Sequence, residues 1–179
     1  MARQQLIVDT KTPESCVVHT DYTVSYTPSG GGGWAKKGVN INGEATGDRS
    51  GHSVSLSDDG SVVAIGAYNN DGGGYGYNDA GHVRVYAWNG TTWEKRGGDI
   101  DGEAAQDYSG YSVSLSSDGT IVAIGAINNT GAAGHVAGHV RVYQYDATKT
   151  TAETDQTSSD FGPVKWSRLG ADIDGEAIP

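Results

Sequence analysis

The chain has 179 residues, 28 of them Gly, 10 Tyr and one Phe, with 22 acidic side chains against 12 Lys and Arg. A formal net charge of −10 opposes a nucleic-acid backbone or an anionic membrane as partner, because both repel an acidic surface. The single Cys16 excludes an intramolecular disulfide, no apolar run approaches the roughly 18 residues of a membrane-crossing helix, and the opening MARQQLIVDT lacks the apolar core of a signal peptide.

Residues 1–33 differ in character from the rest of the chain. They hold two β-favouring patches, Gln5 to Val8 and Cys16 to Tyr26, and end in the run Ser29 to Gly33. Consecutive glycines have nothing to pack and much backbone entropy to lose, so this run reads as a linker after a short β-rich attachment segment.

From Trp34 the chain repeats itself. SGHSVSLSDDGSVVAIGA at Ser50 to Ala67 returns as SGYSVSLSSDGTIVAIGA at Ser109 to Ala126, and each copy runs on into GHVRVY, at Gly81 and at Gly138. A third element occurs three times, as WAKKGVNINGEA from Trp34, WEKRGGDIDGEA from Trp93 and WSRLGADIDGEA from Trp166. The repeats therefore span about 34–92 and 93–165, with a partial third over 166–177. Such self-similarity decides the fold before any single residue does.

Inside each repeat Val54 and Leu56, then Val113 and Leu115, alternate with serines, the two-residue period of a half-buried strand. Asp59-Gly60 and Asp118-Gly119 then predict tight hairpin turns with both central residues at positive φ. Val62 to Ala67 and Ile121 to Ala126 are nearly continuous apolar runs, expected of strands covered on both faces. Third strands are predicted over His82 to Trp88 and His139 to Tyr145, and fourth strands around each Trp and the Asp-Ile-Asp or Asn-Ile-Asn after it. The second and third Trp elements stand 73 residues apart, against 59 for the first two, which places a surface insertion in Ala147 to Asp160. The expected class is all-β, with four antiparallel strands per repeat and one extra Trp-element strand.

This order of elements resembles the FG-GAP type of β-propeller repeat found in integrin α subunits, over Trp34 to Ala177. The chain departs from that pattern: Ser50-Gly51 and Ser109-Gly110 replace Phe-Gly, Pro is missing after Gly66-Ala67 and Gly125-Ala126, and the Asp-rich calcium loop is shortened to Asp58-Asp59-Gly60 and Ser117-Asp118-Gly119. The resemblance implies propeller-like blades. Two blades cannot close a ring that needs four to eight, so it further implies a homo-oligomer, most simply a trimer giving six blades, or an excerpt from a longer array. The opening MARQQLIVDTKTP is similar to the N-terminal segments of phage tail and fibre proteins. Together these features lead to the expectation of a noncatalytic structural and adhesive module in a virion or at an extracellular surface, joined to other virion or surface proteins through residues 1–33. The alternative is a fragment of a bacterial or algal extracellular repeat protein that binds calcium or carbohydrate.

Two sets of side chains are candidate sites. Asp99, Asp101 and Glu103, repeated as Asp172, Asp174 and Glu176, alternate along a strand and so offer carboxylates on one face, the hard oxygen donors that calcium prefers. The first copy has Asn40, Asn42 and Glu44 instead, a weaker donor set. The same alternation fits an outer strand whose acids are only solvated while Ile41, Ile100 and Ile173 turn inward. In the loop Asn69 to Asn78, Tyr75 and Tyr77 stand among glycines, where their rings suit a glycan or a partner. His82 and His139 lack ligand spacing and read as packed rings, with Arg84 and Arg141 pairing with acids across the sheet. No nucleophile motif or phosphate loop is present.

Overall fold

A computed structural model describes residues 16–18, 24–26, 35–71, 78–130, 136–152 and 163–176. The chain forms two compact units, Met1–Lys37 and Gly38–Pro179. In the first, β1 (Cys16–Val18) and β2 (Val24–Tyr26) pair antiparallel with Cys16 opposite Tyr26.

The second unit is all-β, with no helix among the described residues. Its first sheet runs in the order β3 (Ser53–Leu56), β4 (Val62–Ala67), β5 (His82–Trp88), β6 (Trp93–Lys95), and β7 (Ile100–Asp101) also pairs with β5. The second sheet repeats this plan with β8 (Ser109–Leu115), β9 (Ile121–Ala126), β10 (His139–Tyr145) and β11 (Trp166–Arg168), and β12 (Ile173–Asp174) also pairs with β10. Each is an antiparallel meander, and the two do not close on themselves.

The turns differ from expectation. Gly60 and Gly119 take positive φ, 64° and 67°, while neither preceding Asp does. The Asp side chains instead brace the loops: Asp59 accepts from Ser57 Oγ at 2.7 Å and Ser61 N at 2.9 Å, and Asp118 accepts from Ser116 Oγ at 2.6 Å and Thr120 N at 2.9 Å. A five-residue connection with one left-handed glycine does the work expected of a two-residue turn. Within the insertion, Lys149 is buried and donates from Nζ to Trp166 O at 2.8 Å, so that part of it packs and is not a free surface loop.

One core lies between the sheets. Val62, Ala64, Val83, Val85 and Ile100 on the first meet Val122, Ile124, Tyr143 and Trp166 on the second, with Val113, Leu115 and Tyr145 at its border. Strand alternation puts Ser53 and Ser55 on the inner side of β3, where Ser53 Oγ donates to Gly110 O at 2.7 Å and Ser55 Oγ accepts from Leu115 N at 2.9 Å. The backbones approach closely there; a Cβ on Gly66 would stand 2.1 Å from Gly110 O. The fourth strand is broken in each sheet, and in the first the excursion between its halves reaches across to the neighbour. Trp166 Nε1 donates to Arg96 O at 2.8 Å, Gly97 at φ 89° lies against the indole, and the Arg96 guanidinium sits 4.0 Å from the Tyr145 ring centroid. The Trp element is thus the strap between successive sheets.

Candidate functional site

Two equivalent polar clusters sit where each repeat receives the link from the one before. In the first, Arg84 on β5 donates to Asp99 from Nε at 2.8 Å and from Nη2 at 3.1 Å, and also pairs with Glu44. Lys95 Nζ stands 2.6 Å from Asp99 Oδ1. In the second, Arg141 on β10 makes two 3.0 Å bonds to Asp172 and pairs with Glu103, while Arg168 Nη1 reaches Asp172 at 2.9 Å. Glu103 belongs to the link leaving the first sheet, so its bond to Arg141 latches one repeat to the next. The expected pairing of Arg84 and Arg141 with acids is present in both sheets.

The electrostatics follow from this geometry. Burial pulls the Asp99 and Asp172 carboxyls upward, but bonds to Arg84 with Lys95, and to Arg141, outweigh it and leave both below the ordinary value. Asp101 goes the other way, raised by burial and then by the charge of Asp99. His82, paired across from Asp101, is pushed below 6.5, chiefly by burial. Among the described residues His139 Nδ1 has no hydrogen-bond partner; it stands 3.8 Å from Glu103 Oε2 and 3.9 Å from Asp172 Oδ2.

The structure therefore sends the three acids of each Asp-x-Asp-x-Glu run to different places. Asp99 goes to Arg84 and Lys95, Asp101 to the side of His82, and Glu103 to the next repeat. Asp172 joins Glu103, whereas Asp174 and Glu176 are exposed. Sequence reasoning grouped acids within a strand and missed the grouping across repeats, although the Glu common to all three Trp elements was the available signal. One nitrogen and two carboxylate oxygens lie within 4.8 Å of one another in Glu44, His82 and Asp99, and again in Glu103, His139 and Asp172. Those are the residues that could hold a cation. Calcium takes six to eight oxygens, and a guanidinium already opposes both carboxylates here, so the donor set suits a latch better than a calcium ion.

A second feature lies on the rim where the sheets meet. His52 and Tyr68 of the first repeat cluster with Tyr108 and Tyr111 of the second, ring centroids 4.6 Å apart for His52 and Tyr68, 4.9 Å for His52 and Tyr111, 5.3 Å for Tyr68 and Tyr111 and 5.8 Å for Tyr68 and Tyr108. Tyr68 touches the other three, and His52 and Tyr111 are exposed. Beside Tyr108 is a recess of about 210 Å³ walled by residues 104–107 and 128–130 and by Val136. Asp107 anchors it, accepting from Ala104 N at 3.0 Å and Asn129 Nδ2 at 2.9 Å. Tyr75 and Tyr77 lie outside the described residues; the backbone after them is tied to this rim, Gln106 N donating to Asn78 O at 2.9 Å and Tyr108 N to Asp79 O at 3.2 Å.

Comparison of the chain with protein-family models, with curated proteins and with solved structures finds no match. Function is therefore read from the geometry of the latch, the rim and the sheet faces.

Proposed function

We propose that the chain is a noncatalytic structural and adhesive module, its two sheets serving as blades of a propeller-like ring shared between chains, as in a phage tail fibre or another virion appendage. One observation carries this reading. The face of the first sheet that meets the second is sealed, while the same face of the second sheet is open, as is the opposite face of the first with Val54 and Leu56 on it. Each open face is the repeat equivalent of one half of the internal interface, so a second copy placed head to tail meets complementary packing. Heterologous contacts of this kind close into rings when the rotation permits, and three copies supply six blades.

In this reading residues 1–33 attach the ring to other virion or surface proteins. Residues 170–176 of one copy and 38–44 of the next compete for one place at the junction, because each is the outer element of a repeat. An excerpt of a longer extracellular repeat array leaves the same two faces open, and its copies join without a fixed number or stay apart. Negative-stain images of the purified chain discriminate these readings. Six-bladed rings are expected, and isolated two-blade particles overturn the shared ring.

A further inference from the structure

We propose that the rim between the two sheets binds a neutral saccharide, its apolar CH face lying on the exposed rings of His52 and Tyr111 and its hydroxyls bonded in the recess beside Gln106. The inference rests on the adhesive reading and names the ligand for it.

The rings come first. Two exposed aromatic side chains, inclined at 48° to each other and propped edge-on by a third, Tyr68, form a shallow cleft with apolar faces and polar edges, the surface that an amphipathic sugar ring matches. Beyond Tyr108, whose ring meets Tyr68 and which follows Asp107 of the wall, the recess offers the amides of Gln106 and Asn128 and the Thr130 hydroxyl, groups that both donate and accept as sugar hydroxyls do. The net charge of −10 disfavours anionic glycans, which narrows the class to neutral ones.

The internal repeat supplies a control. Gln106 takes φ 68°, and at the same place in the first repeat Gly47 takes φ 104°. Left-handed backbone strains a residue with a Cβ, whereas glycine adopts it freely. Folding alone favours glycine at both places, yet the second repeat carries a side chain there, on the wall of the recess. Strain of this kind collects at ligand sites.

The test uses the full chain, titrated with neutral hexasaccharides of glucose, mannose, galactose and N-acetylglucosamine while tyrosine ring signals are followed by NMR. At least one is expected to bind and to shift the Tyr111 ring. Tyr111→Ala should weaken that binding about tenfold. Gln106→Gly should weaken it as well while raising the thermal midpoint, since the strain is relieved; that combination cannot come from a folding defect. Absence of binding by all four at about 10 mM overturns the proposal, as does binding that survives both substitutions. Rings that only staple the junction would give that first result together with a destabilised Tyr111→Ala. The named rim residues all belong to one chain, so a monomeric protein would refute the shared ring and leave this test intact.

Discussion

Val83, Val85 and Ile100 of the first sheet are 0%, 1% and 2% exposed, whereas Val140 and Ile173, at the places of Val83 and Ile100 in the second, are 36% and 61% exposed. Val54 and Leu56, at 62% and 58%, likewise contrast with the half-buried Val113 and Leu115. Sequence is nearly the same in each pair, so local propensity cannot be the cause. What differs is the neighbour: in one chain only the central pair of faces is covered. Burying an aliphatic side chain is worth about 1.5–3 kcal/mol, so the open faces hold association energy of the same kind as the core.

The largest expected effect comes from breaking the covered side of this comparison. Trp166 is fully buried with its Nε1 bonded, while its repeat equivalent Trp93 is half-buried. Trp166→Ala should cost about 3–5 kcal/mol, Trp93→Ala about half as much, read from urea midpoints; equal losses would contradict the asymmetry. Next is the latch. Arg141→Met leaves Glu103 and Asp172 facing each other at 16% and 23% exposure and should cost about 2–4 kcal/mol. Glu44→Gln removes a partner that is 47% exposed and should cost under about 1 kcal/mol. In the same preparation calorimetry with calcium is expected to show no binding at the latch, and a chelator should leave the urea midpoint unmoved.

The open side is tested by charge. Val54→Glu or Leu56→Glu should reduce the solution mass to that of one chain and lower the unfolding midpoint only where the parent is associated, the two midpoints converging on dilution. Truncation before Gly170 should tighten association by removing the competitor of residues 38–44.

Smaller effects come with pH. His82 is held below 6.5 by burial, so the unfolded chain takes up a proton that the folded chain resists. Stability should therefore fall as pH drops below about 6.5, and His82→Gln should flatten that slope in urea midpoints taken at about pH 7.5 and 5.5. Asp59 and Asp118 are each lowered to about 2, first by bonds from Ser57 and Ser116. Their folded carboxyls should titrate by NMR near pH 2, so the stabilisation is present above 3.8 and is lost between 3.8 and about 2.

The repeats made much of the fold legible: SVSL, VVAIGA and HVRVY each became the strand their period implied, and the second and third Trp elements became fourth strands, while Asn40-Ile41-Asn42 of the first, expected to do the same, forms no strand because no sheet of the chain stands beside it to pair with. Alternation assigned faces correctly but not exposure, because period reports which side chains share a face and not whether a neighbour covers it. Ile173 shows this, expected inward with Ile100 and left on the surface. The candidate site was less legible. Glu103 lies 38 residues from Arg141 and meets it only because the link crosses between sheets, and Tyr68, Tyr108 and Tyr111 carry no motif that would place their rings together.

The central claim is that the open faces are used by further copies of the chain. Light scattering on the purified full chain, run through size exclusion at about 5 to 50 μM, tests it most directly. A mass three times the 18.6 kDa of one chain is expected, reduced to one chain by Val54→Glu. A parent chain that stays at 18.6 kDa throughout would contradict it.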